Sequence, residues 1–145
     1  MTLTSSTPGV VASDRRPLVA VLVVTAVSLG GSVVSVRSGL NDTWLDAVGP
    51  TGFLSVPLPM TAFQLLTGAA AGSRRRRVAL VGSGLLALAV TVAVVSGFFD
   101  GGYADERLDG AERAYQIVLV SGLCAVAVAA GVRAWRVWRS SPAAR

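Results

Sequence analysis

The sequence predicts an all-α membrane protein with four transmembrane helices in an antiparallel, up-down bundle. Of its 145 residues, 52% are hydrophobic and 14% are charged, whereas about 25% of the residues of a typical soluble domain are charged. The charges fall in clusters, which leave four charge-free segments at 17–36, 47–73, 78–99 and 114–132. Each segment has 19 residues or more, and about 20 apolar residues in a helix cross a bilayer of about 30 Å.

Helices are expected at about 17–36, 50–73, 78–99 and 112–135, within a transmembrane domain at 17–138. The four runs are apolar on every side, which is typical of membrane-spanning helices and not of soluble ones. They also lack the alternation of period two that a half-buried strand requires. Residues 1–16, rich in Ser, Thr and Pro, are expected to form a disordered cytoplasmic tail. Residues 139–145 form a second cytoplasmic tail.

The second helix contains three prolines at its outer end, Pro50, Pro57 and Pro59. Each proline in a helix interior removes a backbone hydrogen bond. We therefore predict that this helix is kinked or broken near Pro57 and Pro59. In the alternative, the helix begins there and residues 50–56 lie at the membrane interface.

The distribution of charge predicts the orientation. The sequence has no lysine or histidine, so all 13 positive charges are arginines. The two termini and the run Arg74, Arg75, Arg76 and Arg77 together carry +9, and the two other loops carry −4. The positive-inside rule places both termini in the cytoplasm. Heavy use of Ala, Val, Gly and Arg without lysine is typical of GC-rich bacterial coding, so a bacterial cytoplasmic (inner) membrane is expected.

Small and polar residues recur at helical spacing and predict the packing faces, because close approach and interhelical hydrogen bonds hold membrane helices together. The helix-packing residues expected in the first three spans are Ser28, Ser32, Gly68, Gly72, Ser83 and Ala87. In the fourth span the expected inward residues are Ser121, Cys124 or Ala125, and Val128. Cys124 is expected to be a small buried hydrophobe.

The residue inventory excludes several chemistries. With no histidine and one cysteine, the chain cannot form a disulfide framework, a Cys/His zinc site or a histidine-dependent nucleophile. The charge-free segments hold no carboxylate, whereas small proton-coupled drug exporters depend on a membrane-embedded carboxylate. Vitamin K epoxide reductases need paired cysteines. We therefore expect no catalytic residue, no metal ligand and no cofactor.

Three groups of residues remain candidates for binding. Gln64 is expected to hydrogen-bond a neighbouring helix; alternatively, Gln64 and Thr61 line a small cavity beside the proline break. Asp100 is the acid nearest the membrane and the candidate for an outer-face ligand or partner contact, in a loop that is otherwise read as solvated. Asp109 and Glu112 in that loop resemble a capping box that opens the fourth helix. Arg74, Arg75, Arg76 and Arg77 mark topology and are candidates for contact with anionic lipids.

These features favour a non-catalytic accessory or structural subunit that acts through helix–helix association. Its expected partners are the bilayer, with anionic headgroups on the cytoplasmic side, and a second copy or another membrane protein. Nucleic acid is not expected, because topology accounts for the arginine run. The alternative is a small-molecule or lipid carrier or channel with a cavity at Thr61 and Gln64. A membrane enzyme that uses outer-loop carboxylates such as Asp100 ranks third.

Overall fold

The computed structural model describes residues 10–49, 54–99, 106 and 108–140. Within these ranges the helices are α1 (Arg16–Arg37), α2 (Trp44–Val48), α3 (Leu58–Ala71), α4 (Arg76–Phe99) and α5 (Gly110–Arg139), and no β-strand is formed there. By length and composition, α1, α4 and α5 are able to cross a membrane. The prediction of an all-helical membrane protein is confirmed at this level.

The four longer helices pack side by side. α1 and α4 each contact both α3 and α5. α1 and α3 run in opposite directions, since Gly68 lies against Val21 whereas Val56 bonds to Ser28. α1 and α4 begin, and α3 and α5 end, at one end of the molecule, here called the basic end and marked by Arg16, Ala71, Arg76 and Arg139. The shared core consists of Val21, Val24, Leu86, Val90, Leu119, Leu123, Val126 and Ala130.

The helix predicted at 50–73 is shorter in the structure. α3 begins at Leu58, with Pro57 as its N-cap, and has 14 residues, which corresponds to about 21 Å at 1.5 Å per residue. Residues 54–57 are non-helical and run into the core, where Leu54 is fully buried. Residues 50–53 lie outside the described part of the chain. Proline at the start of a helix removes only an N–H that would have no helical partner, which explains the position of the break.

The residues expected to face inward on α5 face outward. Ser121, Cys124, Ala125 and Val128 are all exposed, so the prediction for this face and for a buried Cys124 is wrong. The buried residues of α5 are mostly large ones, among them Leu119, Leu123 and Val126. Small residues are present on both sides of this contact: Tyr115 of α5 lies against Gly30 and Gly31 of α1, whereas Val24 of α1 lies against Gly122 of α5.

The N-terminal segment 10–14, here called the strap, lies across the basic end. The Val11 N–H donates to the Arg74 carbonyl oxygen at 2.9 Å, and the Ser13 hydroxyl donates to the Gly72 carbonyl oxygen at 2.9 Å. This ordered path differs from the disorder expected for residues 1–16, of which 1–9 lie outside the described part. The difference arises because the turn between α3 and α4 offers free carbonyl groups to the strap.

Candidate functional site

The two candidate cavity residues lie one helical turn apart on α3. Gln64 is 2% exposed, and its Nε2 has no hydrogen-bond partner among the described residues. The Thr61 hydroxyl contacts the carbonyl oxygens of Val56 and Pro57 at 3.3 and 3.2 Å. The Thr61 hydroxyl therefore satisfies backbone carbonyl groups at the start of α3, whereas the buried Nε2 of Gln64 without a partner costs free energy.

The non-helical residues 54–57, which precede α3, are held in place by the middle of α1. The Val56 N–H donates to the Ser28 Oγ at 2.7 Å. At Gly31 an added Cβ would overlap the carbonyl oxygen of Leu54 and would lie 2.9 Å from a ring carbon of Tyr115. Non-helical backbone inside a membrane protein is tolerated where protein groups satisfy and enclose it. Here Ser28 satisfies the Val56 N–H, and Gly31 leaves room for the Leu54 carbonyl group.

The remaining packing residues lie on buried or half-buried faces. Ser32 is fully buried, and its hydroxyl donates to the Ser28 carbonyl oxygen at 3.2 Å. Gly68 faces Val21 and Leu18 of α1. Ser83 is fully buried, with no partner for its Oγ in the described ranges. Two further residues, Gly72 and Ala87, are half-buried.

The four consecutive arginines do not act as one surface. Arg74, Arg75 and Arg77 are exposed. Arg76 is half-buried, and its Nε donates to the Val137 carbonyl oxygen at 3.4 Å, near the end of α5. Arg76 thus links the start of α4 to the end of α5, whereas the other three arginines are exposed.

Sequence reasoning missed the structural part played by Arg133, which it counted only as a flanking charge. Arg133 is 8% exposed. Its guanidinium donates to the Ala71 carbonyl oxygen at 3.4 Å and to the Ala12 carbonyl oxygen at 2.5 Å. It therefore caps the last turn of α3 and fixes the strap at the same time. Arg133 and Val126 are seven residues apart and thus share the buried face of α5, but the sequence alone did not show that this face is the buried one.

The opposite end of α5 carries a buried carboxyl. The Asp109 carboxylate accepts from the backbone N–H groups of Ala111 and Glu112 at 2.9 and 3.4 Å, so the predicted cap is confirmed on the Asp109 side. Hydrogen bonds with the Glu112 side chain and with these two amides lower the pKa of Asp109 below its usual 3.8. Glu112 is 8% exposed, and its Oε2 has no partner within the described ranges. Asp100 lies outside those ranges.

A row of exposed residues runs along the outer face of α5. It consists of Ala114, Val118, Ser121, Ala125, Val128 and Val132. Successive members are four and three residues apart in alternation, which is the heptad spacing of helices that pack in left-handed pairs. Cys124, the single cysteine of the sequence, is exposed beside this row.

The comparisons with known proteins assign no site to this chain. Within the described residues, no group of three or more His, Cys, Asp or Glu side chains is placed to hold a metal ion. No protein-family model, curated protein or solved structure matches this chain.

Proposed function

We propose that the chain is a four-span protein of a bacterial cytoplasmic membrane, arranged as an up-down bundle with both termini in the cytoplasm. The fourth crossing is α3 together with residues 54–57. Its support is the antiparallel path beside α1, from Ser28 at Val56 to Val21 at Gly68. The cluster of arginines at the basic end supports the orientation.

Within that membrane we propose a non-catalytic accessory or structural subunit that acts through helix–helix association. The observation that carries this proposal is the exposed heptad row of α5. A helix face that contacts only lipid does not require small residues, because leucine at every position would suit lipid equally well. Ala114, Ser121 and Ala125 instead leave a shallow surface, which allows another helix to approach closely and Ser121 to hydrogen-bond across the contact. A second copy of this chain is the first partner to test.

Cys124 provides the experiment, because it lies beside the row and is the single cysteine of the sequence. Mild oxidation in native membranes should yield a disulfide-linked species of twice the mass of the chain, and Cys124→Ser should abolish it. The double variant Ser121→Leu/Ala125→Leu should reduce the yield several-fold by filling the shallow surface. The matched control is Ala26→Leu, at an exposed position of α1, which should leave the yield unchanged.

Two results would count against association through this face. One is a monomer without any linked species in membranes, and the other is equal cross-linking in the double variant and in the control. A linked species of another mass would identify a different membrane protein as the partner of the same face. That result would support the accessory function and would reject self-association.

A second candidate function, a carrier or channel, is favoured by one observation. The Gln64 amide is buried in α3, seven residues after Pro57, without a partner for its Nε2 in the described ranges, and broken helices line the binding sites of many transporters. Gln64→Leu should raise the free energy of unfolding by about 1–3 kcal/mol, because it removes an unsatisfied buried group. If the amide also serves transport, the variant should slow the swelling of proteoliposomes in glycerol or urea. Unchanged swelling would argue against passage of these solutes past Gln64.

A further inference from the structure

A groove opens at the basic end between the start of α1, the strap and the last turns of α5. It has a volume of about 760 Å³. Its charged lining consists of Arg15, Arg16, Arg133 and Arg136, with Asp14 as the single acid. Four guanidinium groups and one carboxylate give this small space a net charge of +3. Like charges held together in this way favour binding of an anion.

Hydrogen bonds within the protein fix the residues that line the groove. Arg133 is 92% buried, given its exposure of 8%, and two of its five N–H groups donate to the carbonyl oxygens of Ala71 and Ala12. The strap is further fixed by the Ser13 hydroxyl on Gly72. Three N–H groups of the guanidinium are not used by these two bonds. A planar guanidinium held in one orientation suits phosphate, which it can bind through paired hydrogen bonds.

Asp14 does not neutralise the groove by itself. Its carboxylate accepts from the backbone N–H of Arg16, the first residue of α1, at 3.1 Å. The Arg15 and Arg136 side chains are exposed and are free to close on a ligand from two sides.

The depth of the groove matches that of lipid headgroups. Trp135 and Trp138 lie in the same turns of α5 as Arg136, with their rings 5.7 Å apart and exposed. Exposed tryptophans mark the interface between hydrocarbon and water. On its other side the groove is lined by Val19 and Ala20, and Val19 is 53% exposed. An apolar wall below a cluster of arginines is the arrangement that an acyl chain and its headgroup require.

We propose that this groove binds a phosphate group, and specifically the phosphate headgroup of an anionic phospholipid. The site is distinct from the run at 74–77, where the sequence places contact with anionic lipid. It does not depend on association through α5, since it needs only that α1 and α5 lie in a membrane. Basic pockets between membrane helices bind anionic headgroups by the same chemistry.

The test uses the full chain in a neutral detergent with short-chain phosphatidylglycerol, phosphatidylcholine of the same chain length, and inorganic phosphate as separate probes. Binding is measured from tryptophan fluorescence and from the midpoint of thermal unfolding. Phosphatidylglycerol should raise the midpoint and change the fluorescence, and phosphatidylcholine should do neither. The groove variant is Arg15→Gln/Arg136→Gln, which changes two exposed side chains and leaves Arg133 in place. The control, Arg37→Gln, removes an exposed arginine at the opposite end of α1, outside both the groove and the run at 74–77.

We expect the groove variant to weaken phosphatidylglycerol binding about 25-fold, since each arginine near an anionic headgroup contributes about fivefold, and the control to bind as the wild type does. Arg133→Gln should abolish binding and also expose the strap to proteolysis. Stabilisation by inorganic phosphate at the same concentration would support the phosphate site and assign it to a soluble ligand. Equal losses in the groove variant and the control, or equal binding of both lipids, would overturn the proposal.

Discussion

The contact between α3 and α4 depends on the absence of a side chain at Gly82. A Cβ at this position would lie 2.6 Å from the Ala70 Cβ and 2.7 Å from the Ala71 backbone nitrogen. Carbon atoms in contact are normally about 3.5–4.0 Å apart, so Gly82→Ala requires the two helices to separate by about 1 Å. Since backbone stands in the way, rotation of a side chain does not relieve the overlap.

The magnitude follows from two opposing terms. Alanine in place of glycine stabilises an isolated helix by about 1 kcal/mol, whereas overpacking a well-packed contact costs about 1–3 kcal/mol. Gly84, two residues further along α4, has nothing within 4 Å of an added Cβ. Gly84→Ala therefore gains helix propensity without the cost of overpacking. We expect Gly82→Ala to be less stable than Gly84→Ala by about 1–3 kcal/mol.

The assay is unfolding by SDS in mixed micelles, followed by far-ultraviolet circular dichroism, on the wild type and the two variants side by side. Both substitutions add one methyl group to the same helix, so differences in detergent binding and helix propensity cancel. Equal stability of the two variants, or greater stability of Gly82→Ala, would refute the close packing of α3 on α4.

Two further predictions concern the non-helical residues 54–57 and the start of α5. Gly31→Ala should cost about 3 kcal/mol or more in the same assay, because the overlap with the Leu54 carbonyl oxygen forces residues 54–57 away from α1; stability like that of the wild type would contradict this path of the chain. The pKa of Asp109 is lower in the folded chain than its usual 3.8, so Asp109 contributes stability above pH 3.8 that is lost as the pH falls through its folded value. Asp109→Asn keeps the cap and removes this titration, so its unfolding free energy should fall less than that of the wild type between about pH 5 and pH 2; parallel falls would exclude Asp109 as the titrating group.

The sequence was informative about the length of the helices and the place of the break. Charge-free length is sufficient to recognise α1, α4 and α5, because the cost of placing charges in hydrocarbon is large and local. The prolines similarly indicate where α3 begins, since the missing N–H is a property of the residue itself.

Charge-free length and proline positions did not predict which side of α5 is buried, and they did not predict the path of residues 54–57. Small residues mark a packing face on α1, but the large residues of α5 fill the space that they leave, so a search for small residues on α5 found its exposed side. The partner of the Val56 N–H is Ser28, which lies 28 positions away in the sequence. Such a pairing is decided by the three-dimensional packing and leaves no local trace in the chain.

The shortness of α3 has a consequence for biogenesis. A 14-residue helix preceded by non-helical chain is too short to enter the bilayer as an independent span. The chain that leads into it is held to α1 by the hydrogen bond from Val56 to Ser28 and by the close approach of Leu54 to Gly31. The helix α1 must therefore already be in the membrane when α3 and residues 54–57 insert, and it acts as an intramolecular template for them. Ser28→Ala should then delay the protection of residues 54–71 during synthesis, as well as weaken the finished protein.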